Sequence, residues 1–397
     1  MACREPADFA ARRDAMRAAD ALPAGTSRAP GSFTVIAAWC RTLGARVWCT
    51  RCCGYMARVI TAQTLDEPSL PVARGPLSDT VLRILNERAP RRGLTPIGVS
   101  AGESDPYGLD LQLALSMCYE LHYRGFAGID PWWEWNPALL QLRARLEGVF
   151  LEALRADVGD IGADASAATE MDMLSLEPVD GDGPSYYLRD TGSWDEMREY
   201  FVHRSLYHLK EGDPHAWAIP RLTGQAKASF VAIEFDEYGG GYGDRIHQQL
   251  FADLLDAAGL DSTYLGFLDS VPAESLAPVN LMSMFGLHRA LRGATIGHFA
   301  ATEITSSPGS RRLAVALERM DAPKPCIHFY REHVEADAVH EQVVRTDVVT
   351  DLLAREPHLQ DDVVFGIRAF GVVEERLAAH LMDCWSTGRT SLRQPLG

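Results

Sequence analysis

A chain of 397 residues with 47% hydrophobic composition can bury one large core or two ordinary ones. Its formal net charge of −16 argues against a nucleic-acid or anionic-membrane surface, because both call for a basic patch. No apolar run approaches the ~20 residues of a membrane span, and Arg12-Arg13 is not followed by the apolar stretch of an export signal, so a cytoplasmic protein is expected.

Residues 1–76 are rich in Ala and Arg, show weak periodicity and end in the turn-like Glu67-Pro68-Ser69-Leu70-Pro71; they read as a poorly ordered N-terminal extension. The eight cysteines, in a chain this long, are not a secreted disulfide framework. Cys49-x-x-Cys52-Cys53, with Cys40 ahead of it, has the makings of a zinc or redox site, but no second pair at zinc-ribbon spacing follows. Residues 77–156 form an N-terminal helical region. Its first helix, over 77–97, is stopped by Pro90 and Gly93, and a second runs over 108–126. A third spans 137–154, with Asn136 as N-cap and Pro137 at the first helical position.

Residues 157–185 are acidic and Gly- and Ala-rich, and include Pro178-Val179-Asp180-Gly181-Asp182-Gly183-Pro184; they read as a linker or long loop. From residue 186 to 397 helical patterns return, over 194–211, 220–238, 245–258, 276–304, 310–320, 327–354 and 360–384. Strands with period-2 alternation are hard to find. The fold class is therefore all-α, a bundle of long core helices.

A bundle builds a metal site from acids and imidazoles that point inward from facing helices. Between Phe329 and Glu341 there is neither Gly nor Pro, and His333, Asp337 and His340 fall at i, i+4 and i+7 on one helical face. Two imidazoles and a carboxylate in one stripe are ligand types for iron, manganese or zinc; the bland reading is a solvated face that carries two histidines. Glu303 lies among small and apolar residues in Gly297-His298-Phe299-Ala300-Ala301-Thr302-Glu303-Ile304, where an unpartnered carboxylate is unfavourable. It needs a metal, a hydrogen bond or an ion pair such as Arg289 or Arg292. Glu234, Asp236 and Glu237 are crowded together before Gly239-Gly240-Gly241, either as a solvated helix end or as a cation site. His247 follows ten residues after Glu237, off the face of a straight helix, but a glycine break lets the next segment re-enter at a new angle. Glu211 closes an amphipathic helix, where the dipole mildly disfavours an acid.

The order Glu211, Glu237, His247, Glu303 and His333-x-x-x-Asp337-x-x-His340, with Leu209-Lys210-Glu211 and Asp236-Glu237-Tyr238-Gly239-Gly240-Gly241, resembles the haem-oxygenase-like di-iron oxidases, or iron-containing redox enzymes, over roughly residues 185–385. The resemblance implies a haem-oxygenase-like helical bundle that binds two Fe2+ ions and uses O2 as co-substrate to oxidise a small molecule. It assigns Glu211, His247 and Glu303 to one iron. Glu303, bridging, joins His333, Asp337 and His340 at the other, and Glu237 is an optional extra carboxylate. Four carboxylates and three imidazoles balance the charge of two divalent ions. An external electron donor and a homodimer are the further partners to expect.

Two alternatives are a helical metal- or haem-binding protein without turnover, and a cofactor-independent thiaminase-like hydrolase, for which Cys326 is the placed nucleophile. His298, Tyr330 and Tyr238 stand as second-sphere or pocket residues, or as core packing. Glu120 reads as a buried ion-pair or hydrogen-bond partner, with Arg124 the nearest cation, and Trp132-Trp133-Glu134-Trp135 as a packing plug or subunit contact.

Overall fold

A computed structural model describes residues 67–89, 98, 102 and 104–396 of the chain. Every regular element among the described residues is helical, as expected. In chain order they are α1 (Pro76–Leu85), α2 (Leu109–Glu120), α3 (Pro137–Val158), α4 (Ala167–Leu174), α5 (Pro184–Asp190), α6 (Trp194–His208) and α7 (Asp213–Ala216). Then follow α8 (Gly224–Glu237), α9 (His247–Ala257), α10 (Ala273–Leu287), α11 (Arg292–Arg319) and α12 (Lys324–Val343). A π-helical turn, Val344–Thr350, joins α12 to α13 (Asp351–Arg355), and α14 (Gln360–Ser386) closes the bundle. No described helix is long and apolar enough to cross a membrane.

Local chemistry sets several of these boundaries. Asn136 caps α3 by accepting from the Ala138 and Leu139 amides at 3.0 and 3.3 Å, with Pro137 first in the helix; such a cap contributes about 1 kcal/mol. Ser193 and Glu196 form a capping box at the start of α6. The expected break between 304 and 310 is absent, and one that was not expected appears earlier. The 276–304 pattern is interrupted at His288, where the chain turns before α11 begins. The Ser306-Ser307-Pro308-Gly309 stretch expected to end a helix lies inside α11, because one missing i→i−4 bond at Pro308 is outweighed by burial on both sides.

Residues 1–66, including Cys40, Cys49, Cys52 and Cys53, lie outside the described residues. Residues 67–75 form a tether: the Val72 amide and the Arg74 guanidinium both bind Asp269. The N-terminal helical region is continuous with the remainder. In α2 nearly every side chain from Leu111 to Glu120 is buried, as expected of a helix that is apolar all round. Its core joins that of α3, α6, α9 and α10 in one apolar cluster. A second cluster unites α4, α8, α11, the π turn and α14.

The 157–185 stretch is only partly a loop. Ser166 caps α4 by accepting from the Thr169 amide, and Ala167 and Met171 of that helix are buried in the second cluster. Composition alone concealed this short capped helix. The long helices α11 and α14 cross at glycines: a Cβ on Gly297 would overlap the Val363 carbonyl, and one on Gly366 the Ala294 carbonyl. After α14 the chain folds back on α6, where buried Glu199 accepts from the Ser391 amide (2.8 Å), the Ser391 hydroxyl (2.6 Å) and Trp385 Nε1 (3.0 Å). Ser391 Oγ also lies 2.8 Å from His203 Nε2.

Candidate metal centre

Five segments converge on one buried centre. The turn after α6 carries Glu211, whose place is secured by Gly212 at φ +84, where a Cβ would come within 3.1 Å of Glu234 Oε2. Helix α8 ends on Glu237. Gly239, at φ +70, passes so close to the Arg245–Ile246 peptide that a Cβ would sit 2.6 Å from it. That close approach folds the chain back and brings His247, the first residue of α9, against Glu237. Helix α11 supplies Glu303, and α12 supplies His333, Asp337 and His340. All seven residues are buried.

Their ligand atoms form two groups, each within 4.8 Å: Glu211, Glu237, His247 and His333; and Glu237, Glu303, Asp337 and His340. The grouping differs from the expected one. Glu237, expected as an optional extra, belongs to both groups, whereas Glu303 belongs to one. His333 stands with Glu211 and His247 rather than with Asp337 and His340. The cause is the length of the stripe: seven residues of helix advance about 10 Å, so His333 and His340 reach different ends of the centre.

Several of these atoms have no hydrogen-bond partner: Glu211 Oε2, His247 Nδ1, His333 Nε2 and Asp337 Oδ2. Buried polar atoms are almost always paired. Here they face one another: Glu211 Oε2 lies 3.6 Å from His333 Nε2, and Glu237 Oε2 lies 2.6 Å from His247 Nδ1 without hydrogen-bond alignment. Glu211 Oε2, His247 Nδ1 and His333 Nε2 belong to the first group and Asp337 Oδ2 to the second, an arrangement that a cation in each group would complete. The outer partners fix the lone pairs accordingly. His333 Nδ1 donates to the Phe329 carbonyl at 2.7 Å, which leaves Nε2 to face the centre. Asp236 Oδ2 lies 3.4 Å from His340 Nε2, leaving Nδ1 to face Glu303 and Asp337. A histidine whose far nitrogen is held by an acceptor in this way is the usual metal ligand.

The electrostatics without a cation are correspondingly strained. Burial, reinforced by Asp337 and Glu237 and opposed by His340, pushes the Glu303 carboxyl up to about 8. Burial opposes the charged form of His333, but Glu211, Asp337 and Glu237 outweigh it and carry the imidazole up to about 10. For His340 burial is likewise outweighed, by Asp236, Asp337 and Glu303, and the imidazole rises to about 12. Carboxylates this close share protons with the imidazoles, and a metal ion takes the place of those protons.

Three residues outside the expected set border the centre. His208 Nδ1 lies 2.8 Å from Glu211 Oε1 and orients it. Tyr207 lines both the ligand cluster and the larger cavity beside it. Glu234 lines the cluster with both oxygens buried and unpartnered, and burial together with Glu237 and Glu303 pushes its carboxyl well above the usual range. The acid-rich run marked Glu234 as notable; His208 and Tyr207 had no signal beyond their nearness to Glu211.

The adjoining cavity has a volume of about 260 Å³ and is reached by Glu211 and His333 at one end. His298 and Tyr330 line it; Tyr238 does not, and instead donates to Asp213 at 2.9 Å. The ion-pair alternative for Glu303 is not realised with Arg292, which binds Glu356, and Glu303 faces His340. Glu120 is a buried ion-pair member, but its side-chain partner is Lys210 at 2.6 Å, with Tyr264 donating at 2.9 Å; Arg124 contributes its backbone amide. Trp133 packs inside while Trp132 and Trp135 are exposed.

Residues 198–373 match the family model of the iron-containing redox enzymes. A curated relative, the nitrosourea synthase of Streptomyces achromogenes subsp. streptozoticus, is 24% identical over 179 residues, which is 45% of this chain and 38% of the relative. The match thus spans well under half the relative's own length. With the all-helical fold and a buried cluster of acids and imidazoles inside the matched span, residues 198–373 are similar to the iron-containing redox enzymes.

Proposed function

We propose that this protein is a non-haem di-iron oxidase or oxygenase that uses O2 to oxidise a small organic substrate. The observation that carries this reading is the pair of ligand groups joined at Glu237, with unpartnered atoms turned toward one another inside the bundle. Four carboxylates and three imidazoles suit two divalent ions, since a ligand charge of −4 offsets a metal charge of +4. Bound as a ferrous pair, the metals supply electrons to dioxygen.

The chain's own residues do the rest. Glu211, His247 and His333 hold one side, Glu303, Asp337 and His340 the other, and Glu237 stands between them. Phe329 and Asp236 keep two imidazoles in the tautomer that ligation needs, and His208 holds Glu211 in place. The buried walls exclude water from the reacting end of the cavity. An external electron donor completes turnover. The relative's name associates nitrosourea formation with that protein, so substrates that carry nitrogen merit the first assays.

Cys326 does not suit the hydrolase alternative. It is buried, its thiol lies 3.6 Å from the Leu254 carbonyl, and burial pushes it up to about 11, far from the thiolate that nucleophilic attack requires. Metal analysis decides the reading. Reconstitution with Fe2+ is expected to load about two irons per chain, and the ferrous protein to consume O2. Protein equally active with and without iron, or His333→Ala and Glu303→Ala variants that keep full loading, would overturn it.

A further inference from the structure

The matched span begins at residue 198, yet two side chains from the N-terminal helical region reach the segments that carry Glu211 and His247. Glu120 and Arg124 stand four residues apart at the end of α2. Glu120 accepts from the ammonium of buried Lys210 at 2.6 Å and from the Tyr264 hydroxyl at 2.9 Å. Lys210 directly precedes Glu211. The Arg124 guanidinium lies 3.9 Å from the centre of the Tyr264 ring. Its Nη2 donates to the Leu209 carbonyl at 3.4 Å and to Gln248 Oε1 at 3.2 Å. Gln248 directly follows His247, and its Nε2 donates to the Glu211 carbonyl at 2.9 Å.

These contacts have a local cause. Helix α6 ends at His208, so the carbonyls that follow have no partner within the helix. Those of Leu209 and Glu211 find theirs in Arg124 and Gln248. The run Leu209-Lys210-Glu211 is thus held at three successive residues, and Gln248 ties it to the first turn of α9, where His247 sits. His340 belongs to a separate set of contacts, with Glu303, Asp337 and Asp236. The α2 contacts therefore bear on one of the two ligand groups, the one that contains Glu211 and His247.

We propose that Arg124 and Gln248 are positioning residues: they fix the spacing of Glu211 and His247, and so set the affinity of one metal position of the two. Glu120 and Lys210 anchor the same turn from below. The proposal rests on the di-iron reading for there being two positions. Partners behind a ligand commonly change metal affinity by about 10–100-fold.

Anaerobic titration of the full chain with Fe2+ tests it, with Mössbauer spectra of the 57Fe-loaded protein and its melting curve taken alongside. Arg124→Met and Gln248→Met are each expected to weaken one iron by about tenfold and to leave the other unchanged. Arg124→Lys, which keeps a donor and the charge, should fall between Arg124→Met and the unaltered protein. Because the two side chains act in series, the double variant should lose little more than either single one. The proposal is overturned if both irons keep full affinity in the two methionine variants, if both weaken in parallel with a falling melting temperature, or if the double variant shows the product of the single losses. The outcomes also separate the two readings. Unaltered protein that takes up no iron sinks both, whereas two irons in the unaltered protein and in every variant sink the positioning role alone.

Discussion

Glu237 ends a helix that is followed by three glycines, yet its two oxygens border both ligand groups: Oε2 lies 2.6 Å from His247 Nδ1 and Oε1 3.5 Å from His340 Nδ1. Its removal should therefore differ in kind from removal of a ligand on one side. Glu237→Gln is expected to depress iron loading at both positions, whereas Glu211→Gln or His340→Gln should spare about one iron per chain. Iron determination on folded protein, checked by circular dichroism, distinguishes the outcomes; equal losses in all three variants would contradict the sharing. All seven residues of the cluster were visible in the sequence as acids or histidines in unusual company. Their partition was not, because helical spacing records that His333 and His340 share a face and says nothing about how far along that face another helix's carboxylate arrives. His208 and Tyr207 show the same gap: their places beside the cluster depend on which side chains oppose them.

Among the elements, the turn between α8 and α9 does most to assemble the centre. Gly239 combines φ +70 with a backbone approach that leaves 2.6 Å for a Cβ. Gly239→Ala is expected to destabilise the fold by about 1–3 kcal/mol and to move His247 off Glu237. Thermal unfolding and iron binding should fall together in this variant; a loss of stability with undisturbed loading would mean that the turn is merely structural. The glycine run was a legible signal, since only a sharp reversal can bring residues ten apart and on different faces together. The helix joins were less legible. Pro308 looks like a stop, yet α11 passes through it, and His288 looks like an interior residue, yet the chain turns there. The π turn Val344–Thr350 lies four residues beyond His340 and buries Val344, Val348 and Val349. Wide turns of this kind recur near functional sites, and a period of 3.6 fitted to 327–354 has no means of registering one.

At the scale of the whole molecule, the described chain from residue 67 onward is one body whose N-terminal helices share their core with the metal-centre helices. That continuity was hidden because an acidic, glycine-rich stretch looks like a domain boundary whether or not its flanks pack together. It also ties residues 387–396 to the helix that leads to the candidate metal centre. Glu199 is buried, and three of its hydrogen bonds come from Trp385 and Ser391; His203, one turn along α6, lies beside Ser391 as well. Helix α6 carries Arg204, Tyr207 and His208 and leads directly to Glu211. A chain cut after Ser386 should take Ser391 from both Glu199 and His203, leaving Glu199 with Trp385 and His203 with Ser275, at a cost of roughly 1–3 kcal/mol. A lower melting temperature together with weaker iron retention is the expected result, and an unchanged melting curve would refute it. For anyone handling the protein this has a practical side. An affinity handle placed within residues 387–396 would disturb the contacts that hold α6, the helix leading to the candidate metal centre.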